Sequence, residues 1–423
     1  MVAITRKLER FFGFRLRYFI EGGAWLAIGK IAATAASFIL SVAYAHYLSK
    51  DLYGNYRYIL SILGISGILA LPGIATAITR GVARGYDGTF RRGGRIIFLS
   101  SFGITLSGLG AATFFFSNGN LLLALGFMIA AIGMPFVEGL GNWRAYLDGK
   151  KEFKYKTLLN LYQQLFSVVV TVVAIVAIVF FQIETMGSIA LLFIAYSLGR
   201  GLSNIIISRQ TLKDVSQSAP VEPGSLRYGL HLSALNIPST IANYLDSVLL
   251  YTLLGPATLA VYSFAIAIPE QIKAFLSIPG DLVFPRLSEK KMTIDFKKNL
   301  VKVAVKFIAP STLIIATYIL LAPYIYSIFF PHYLEAVTFS RVFALVLIFF
   351  PFTIFNTALK AEGDIKKIYI YNLAAPIAQI ILIVALIPPL GLWGAIIARI
   401  GGKLFNLFFP FILFITKKSQ SII

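Results

Sequence analysis

Long apolar runs separated by short polar connections fill nearly the whole of this chain. A helix that crosses about 30 Å of hydrocarbon needs roughly 20 mainly apolar residues. Stretches of this length recur near residues 23–46, 57–79, 95–117, 119–139, 157–180, 187–207, 229–253, 257–283, 302–323, 335–357, 368–388 and 390–415. The pattern therefore predicts an all-α, polytopic membrane protein with about twelve transmembrane helices.

Lysine and arginine residues are concentrated in every second connection between these spans. Thirty of the 38 basic residues lie before the first span or near residues 80–95, 144–156, 200–227, 286–302, 360–367 and 417–418. None lies in the connections near residues 118, 182–186, 254–256, 324–334 and 389. Because cytoplasmic loops carry the excess of Lys and Arg, we predict a multi-pass protein of the cytoplasmic membrane with both termini in the cytoplasm.

Composition narrows the class of protein further. The chain is 58% hydrophobic and only 13% charged, with a mean hydropathy of +0.80, which excludes an ordinary soluble domain. Its net charge of +20 is distributed loop by loop along one side of the membrane, where anionic lipid headgroups lie. A nucleic-acid-binding protein would gather that charge on one folded surface, so we expect membrane lipids and no nucleic acid as partners. The chain has no cysteine, which excludes disulfides and thiolate metal sites.

A polar connection near the middle divides the chain into two halves. Turn-forming and charged residues at 208–228 predict a flexible cytoplasmic linker between a six-helix bundle at 1–207 and a second at 229–423. Residues 44–62 align weakly with 250–268, an offset of 206 residues that is close to half the chain. Spans one and seven run in the same direction, so we expect parallel repeats with a binding site between them. The basic, aromatic stretch at 10–20 is either an interfacial helix or a simple basic anchor.

Two carboxylates lie within predicted spans of the second half. Asp246 is in the seventh span, and Glu270 is in the eighth, directly after Pro269. A charge near the bilayer centre costs about 2.5 to 3.5 kcal/mol on the insertion scale, so each of them needs a reason. Lys273 follows Glu270 by three positions and shares its helix face. We predict that Asp246, Glu270 and Lys273 face an internal cavity and handle an ion or a substrate, with the two carboxylates as the candidates for ion coupling. The alternative is a buried pair that only orients two helices.

Further cations lie in the first and last spans. Lys30 is surrounded by small residues and either faces a cavity or extends to the cytoplasmic surface. Arg399 and Lys403 are four residues apart, so both point the same way. Two cations on one face suit an anionic ligand such as a pyrophosphate, or lipid headgroups if the helix is tilted. We predict Lys30, Lys273, Arg399 and Lys403 as substrate-binding residues.

Uncharged polar residues and the histidines give little indication of a catalytic or metal-binding site. Asn160, Gln163 and Gln164 in the fifth span, with Asn204 in the sixth, either hydrogen-bond sugars or join helices, and the second interpretation is favoured. The three histidines are scattered, and no nucleotide-binding loop or metal motif occurs, so we predict no catalytic residue, metal or cofactor. A membrane glycosyltransferase or polymerase would need substantial external loops to build its site, whereas the external connections here are short.

Several short strings resemble one superfamily of exporters. They are AHYLSKDLYGNYRYILSILGI from Ala45, YGL from Tyr228, YLDSVLLYTLLGPATLAVYSFAIAI from Tyr244, FPRLSE from Phe284, AEGD from Ala361 and GLWGAIIARIGG from Gly391. With these strings in order over nearly the whole chain, the sequence resembles the Wzx-type oligosaccharide flippases of the multidrug/oligosaccharidyl-lipid/polysaccharide (MOP) exporter superfamily. Twelve spans fit this branch and also the drug-cation antiporters, whereas the lipid II flippases commonly have fourteen.

The resemblance implies a function that the charges in the spans suit. It implies a flippase that moves an undecaprenyl-pyrophosphate-linked oligosaccharide across the cytoplasmic membrane by alternating access for cell-surface polysaccharide biosynthesis. Coupling to a proton or sodium gradient is expected. A sugar and a pyrophosphate cannot cross the hydrocarbon unaided, because their hydrogen bonds to water would be lost. The alternative is a cation- or proton-coupled multidrug antiporter of the same superfamily, which would favour an acidic, aromatic cavity.

Overall fold

A computed structural model describes residues 16–277, 294–362 and 365–415, and all regular structure in these ranges is helical. The string from Phe284 lies outside the described residues, as do Gly363 and Asp364 of the string from Ala361 and the first part of the predicted interfacial stretch. The helices of the first half are α1 (Leu16–Tyr47), α2 (Lys50–Ser66), α3 (Gly73–Ala83), α4 (Gly88–Ser117), α5 (Leu121–Val137), α6 (Trp143–Gly149), α7 (Phe153–Phe180), α8 (Thr185–Ser197) and α9 (Ser203–Lys213).

Residues 214–224 connect α9 to the second half, whose helices contain several breaks. They are α10 (Ser225–Leu235), α11 (Ile237–Leu254), α12 (Pro256–Leu276), α13 (Ile294–Phe329), α14 (Ala336–Ala344), α15 (Thr353–Glu362) and α16 (Ile365–Ile415). A 3-10 stretch, Leu345–Phe352, joins α14 to α15 and contains Pro351. The predicted linker at 208–228 thus includes the end of α9, the connection and the start of α10.

Eight continuous helical segments of the described chain are long and apolar enough to cross a membrane, counting α8 with α9 as one segment and α14 with α15 as another. The bent pair of α2 and α3 would make nine if it is one span. The outward surface is apolar, as α7 illustrates: Leu165, Val169 and Val173 form an exposed stripe, while Gln163 and Thr171 are buried. This arrangement places hydrocarbon-like side chains against lipid and polar groups inside. The protein is therefore an all-helical, polytopic membrane protein, as predicted.

The second predicted span is broken near its middle. After α2, a 3-10 turn ends at Leu71, whose φ and ψ are both 57°, and Pro72 precedes α3. The left-handed backbone at Leu71 cannot continue a helix, and the two helices meet at 48°. The residues predicted as one span at 57–79 therefore lie in two helices, the first of which begins at Lys50.

Helix α16 is a hairpin of two antiparallel arms. The chain turns at Gly391, where φ is 56° and ψ is −128°, two residues after the Pro388–Pro389 pair. A Cβ atom on Gly394 would lie 2.0 Å from the carbonyl oxygen of Leu386, and one on Gly402 would lie 2.8 Å from the Gln379 side chain. The arms therefore pack closely, and the predicted spans 368–388 and 390–415 correspond to them.

The two halves meet at the end of the molecule formed by residues 48–55, 251–256 and 331–335, here called the short-loop end. Tyr251 donates to Asn55 at 2.5 Å and stacks on Tyr58 with ring centroids 3.8 Å apart. Lys50 forms a salt bridge of 2.5 Å with Glu335. Helix α2 is therefore joined at this end to α11 and to the segment that precedes α14.

The opposite end, here called the linker end, contains residues 84–88, 148–152 and 214–224. The connection after α9 packs on the first half there: the Gly88 amide donates to Pro220 O at 3.0 Å, and Arg84 contacts Glu222 at 2.6 Å. Between the halves, the Gly73 amide donates to Ser233 Oγ at 3.0 Å, which joins α3 to α10. The connection thus packs on the first half at the linker end, while the contact between the halves lies near the break in the second predicted span.

Candidate functional site

Polar residues of the second half converge on one cavity of about 290 Å³ among α11, α12, α15 and the two arms of α16. Its walls combine charged, amide, hydroxyl and apolar side chains. They are Asn243, Glu270, Lys273, Val346, Leu347, Phe350, Thr353, Asn356, Tyr371, Gln379, Arg399, Lys403, Asn406 and Leu407. Four of the six predicted site residues, Glu270, Lys273, Arg399 and Lys403, line this cavity.

Helical spacing explains how the charged residues come together. Glu270 and Lys273 lie three positions apart on α12, and Arg399 and Lys403 lie four apart on the second arm of α16. Residues at these spacings are neighbours on one helix face. Because α12 and α16 present these faces to each other, the four charges lie within one cluster.

Glu270 is shared by two lysines from different helices. Lys273 Nζ donates to Glu270 Oε2 at 2.6 Å, and Lys403 Nζ lies 2.7 Å from Oε1. The side chains of Glu270, Lys273 and Lys403 are 28%, 39% and 20% exposed, so all three reach the cavity. The carboxylate therefore occupies the position where two ammonium groups converge.

Asp246 lies behind this cluster and has a different environment. Its carboxylate is completely buried and forms a salt bridge with Arg399. The Tyr262 hydroxyl donates to the same carboxylate oxygen, and the Ser247 amide donates to the other at 2.7 Å. Arg399 also donates to the Tyr262 hydroxyl at 3.1 Å. Both oxygens of Asp246 are thus held by the protein, and Asp246 fixes the guanidinium that reaches the cavity.

Lys30 does not line the cavity. It lies on α1, and its ammonium group donates to Ser277 Oγ at 2.6 Å, at the end of α12. This contact joins the two halves. The structure therefore places Lys30 apart from the other predicted cations.

Uncharged polar residues on the cavity wall were missed by sequence reasoning. Tyr371 accepts a hydrogen bond from Asn356 Nδ2 and donates one to Asn406 Oδ1, both at 2.9 Å. Gln379 donates to Ala242 O at 3.0 Å. Amide side chains at membrane depth were the available signal, but the residues come from three separate helical segments, and their convergence depends on the tertiary structure.

The polar residues predicted in the first half form a network of another kind. Arg144 donates to Asn160 at 2.8 Å and to the amide oxygen of Gln163. Gln163 donates to Asn204 Oδ1 at 2.7 Å, and Asn204 donates to Val137 O at 2.8 Å. The amide oxygens and nitrogens of Gln163 and Asn204 all bond to protein groups. This network joins α5, α6, α7 and α9.

The charges of the cavity define its chemistry. Lys273, Arg399 and Lys403 oppose Glu270 and Asp246, which leaves one positive charge in excess. Cations in a site of low dielectric attract anions far more strongly than they do in water. Within the described ranges, no group of three or more His, Asp or Glu side chains is placed to hold a metal ion. The arrangement suits an anionic ligand with polar, uncharged parts.

An apolar exterior around a polar internal cavity is typical of a membrane protein that handles a polar ligand within the membrane. A family model described as polysaccharide biosynthesis protein matches residues 19–291, so the chain belongs to that family. The chain is also 23% identical over 403 residues to a putative O-antigen transporter of Shigella flexneri, a match that covers 90% of this chain and 93% of that protein.

Solved structures have the same fold. The lipid II flippase MurJ in an inward closed conformation superposes with a TM-score of 0.68 at 14% identity, over 91% of this chain and 86% of MurJ. A multidrug resistance MATE family transporter of the MOP superfamily in an inward-facing conformation superposes with a TM-score of 0.64 at 13% identity, over 92% and 97% of the two chains. The predicted resemblance is confirmed by the family match and by the shared fold.

Proposed function

We propose that this protein flips a lipid-linked oligosaccharide, with an undecaprenyl-pyrophosphate carrier, from the cytoplasmic to the outer leaflet. The observation that carries the proposal is the cavity in which Lys273 and Lys403 converge beside uncharged polar side chains. The lysines suit the pyrophosphate and the amides suit the sugar, while the apolar exterior suits the lipid tail. The family and the O-antigen transporter relative support this substrate class.

The proposal includes twelve spans. Eight long apolar helices and the bent pair of α2 and α3 account for nine. The shorter apolar helix α5 and the helix α11 with α10 add two, and counting the two arms of α16 separately adds the twelfth. The first six spans would form one bundle and the last six a second, related as parallel repeats.

The proposal also sets the orientation, with both termini and the linker end in the cytoplasm. It rests on the basic residues in alternate connections. Ser216 lies in the linker and Thr258 near the short-loop end, so cysteines introduced singly at these positions test it. Only Thr258→Cys should react with a membrane-impermeant thiol reagent in intact cells. Reaction of Ser216→Cys would contradict the proposed orientation and indicate the opposite one.

In the proposed cycle, Glu270 acts as a resident anion. It holds Lys273 and Lys403 while the cavity is empty, and the pyrophosphate takes its place on the two lysines. Arg399 keeps its partner Asp246 and adds positive potential. Contacts at the short-loop end, including the Tyr251 stack on Tyr58, then separate as those at the linker end close, which gives alternating access.

Of the two predicted coupling carboxylates, we propose that Glu270 handles the coupling ion, because it lines the cavity whereas Asp246 is enclosed. A proton or sodium ion that neutralises Glu270 frees Lys273 and Lys403 for the pyrophosphate. Binding of the coupling cation and of the anionic ligand would then favour each other, and this linkage is reciprocal.

Neutralising the two lysines tests the function. We expect Lys273→Gln with Lys403→Gln to weaken binding of an undecaprenyl-pyrophosphate glycan by at least tenfold, since two charge-assisted contacts are lost. Binding of a lipophilic cation should not weaken. The measurement is titration of both ligands into protein reconstituted in lipid nanodiscs.

Lys50→Gln is the matched control, because it removes a lysine that pairs with Glu335 outside the cavity. It should bind the glycan lipid normally. If the doubly neutralised protein also binds it normally, or if the wild-type protein binds only lipophilic cations, the flippase proposal fails and the multidrug antiporter takes its place.

A further inference from the structure

One wall of the cavity is uncharged and consists of Asn356, Tyr371, Gln379 and Asn406, here called the amide wall. It is built by α15 and both arms of α16. The lysines that converge on Glu270 line the same cavity. The cavity is therefore divided chemically into a cationic part and a neutral, hydrogen-bonding part.

The amide wall has hydrogen-bonding capacity that the protein does not use. The Tyr371 hydroxyl joins Asn356 Nδ2 to Asn406 Oδ1, which orients all three side chains. Asn356 Oδ1, however, is buried without a hydrogen-bond partner among the described residues. A buried polar atom without a partner costs about 1 to 3 kcal/mol, so this oxygen favours a ligand that brings a donor.

A purely structural network looks different in the same molecule. Gln163 and Asn204 of the first half bond to protein groups through every amide atom and join helices. The amide wall also joins helices, but it lines a cavity, and its acceptor atom Asn356 Oδ1 has no hydrogen-bond partner among the described residues. This difference indicates that its side chains serve a ligand.

We propose that the amide wall binds hydroxyl and acetamido groups of a sugar whose phosphate lies on Lys273 and Lys403. Amide side chains donate and accept at once, as do these sugar groups, and neutral donors and acceptors discriminate between sugars without holding them as strongly as charges would. This inference rests on the proposed function and adds to it the residues that recognise the sugar.

Two ligands separate the wall from the cationic part. Undecaprenyl pyrophosphate carries the phosphates alone, and the same lipid with an attached N-acetylated disaccharide carries both parts. The full chain in lipid nanodiscs is titrated with each ligand, and the ratio of the two dissociation constants measures the contribution of the sugar.

Tyr371→Phe and Asn406→Leu remove hydrogen bonds of the wall while keeping the size of the side chains. We expect each variant to bind the disaccharide lipid about tenfold more weakly than the wild type and to bind the bare pyrophosphate lipid within about twofold. Such a change in the ratio is one that a merely structural role would not produce, since loss of structure weakens both ligands together.

Tyr318→Phe is the matched control. Tyr318 is a buried tyrosine of the same half whose hydroxyl lies 2.5 Å from Ser340 Oγ, and it does not line the cavity. Both affinities should stay unchanged in this variant.

The outcomes separate the two proposals. If folded Tyr371→Phe and Asn406→Leu keep the wild-type ratio, the wall does not bind the sugar, whether the two affinities stay the same or fall together. Binding of the bare pyrophosphate lipid by the wild-type protein would still support the lysine site. If the wild-type protein binds neither lipid, the proposed function is wrong and the inference falls with it.

Discussion

Polar side chains enter the membrane-spanning region of both halves, but they are arranged differently. In the first half, Gln163 and Asn204 bond only to protein groups and close a network around Arg144. In the second half, Glu270 is shared by Lys273 and Lys403 at the surface of a cavity. In the first arrangement every amide atom has a protein partner, whereas the second is open to a cavity, and the proposed function has a ligand replace Glu270 there.

The difference teaches how to separate structure from function among intramembrane polar residues. Burial with every hydrogen bond made indicates a contact that joins helices. Partial exposure, with one carboxylate between two cations, indicates a site at which charge is rearranged. By this criterion Asp246 is a structural residue like Gln163 and Asn204 of the first half. It is next to the cavity, but Arg399, Tyr262 and Ser247 enclose its carboxylate.

The strongest test of this comparison is to break the enclosed pair. Asp246→Ala should destabilise the protein by about 3 to 5 kcal/mol, because the Arg399 charge is left buried without its partner. The measurement is the free energy of unfolding of the purified protein in detergent.

A compensating variant is the control. Asp246→Leu with Arg399→Met replaces the pair by apolar side chains and should recover most of the lost stability. A loss of less than about 1 kcal/mol in Asp246→Ala would instead place Asp246 among the exchangeable groups of the cavity.

The next test concerns the first half. Gln163→Leu removes one hydrogen-bond partner from Arg144 and one from Asn204, and it should cost about 1 to 3 kcal/mol of stability. Its affinity for the glycan lipid should equal that of the wild type, measured below the unfolding transition. A folded Gln163→Leu protein with weakened binding would show that the first half contributes to the ligand site.

Glu270→Gln tests the arrangement in the second half. Since Glu270 competes with the ligand for Lys273 and Lys403, its neutralisation should tighten binding of the pyrophosphate glycan about tenfold, equivalent to about 1.4 kcal/mol. Stability should change little. Titration of the ligand into wild-type and variant protein measures both affinities.

The same variant tests coupling. In the wild type, lower pH or higher sodium concentration should strengthen glycan binding, because a cation that neutralises Glu270 releases both lysines. Lys273, Lys403 and Arg399 are the charged groups that face it. The dependence should vanish in Glu270→Gln. Weaker binding in this variant would mean that Glu270 contacts the ligand directly.

Much of the fold followed from the sequence because membrane spans depend on local composition. Pro388, Pro389 and Gly391 end one arm of α16 at the position predicted from the apolar pattern. The break at Leu71 also has a local signal, since Pro72 and Gly73 follow it, but these residues do not predict the left-handed backbone of Leu71 or the angle between α2 and α3. Local chemistry thus predicted the apolar, helical character of the chain better than the bends within its helices.

The candidate site was only partly accessible to sequence reasoning. Charges in spans are costly and therefore conspicuous, and helical spacing alone placed Glu270 with Lys273 on one face. The pairing of Asp246 with Arg399 joins residues 153 positions apart and depends on how α11 packs against α16. Tyr371 gave no signal, because an uncharged tyrosine is tolerated in a span.

The smallest effect is expected at the short-loop end. Lys50 and Glu335 form a salt bridge there, and both side chains are substantially exposed, so Lys50→Gln should change stability by no more than about 1 kcal/mol. Binding should be unaffected, because the pair is remote from the cavity. If this end opens during transport, loss of the pair should still speed opening, measured as faster reaction of Thr258→Cys with a water-soluble thiol reagent. An unchanged rate would mean that Tyr251 and its stack on Tyr58, rather than the ion pair, hold this end closed.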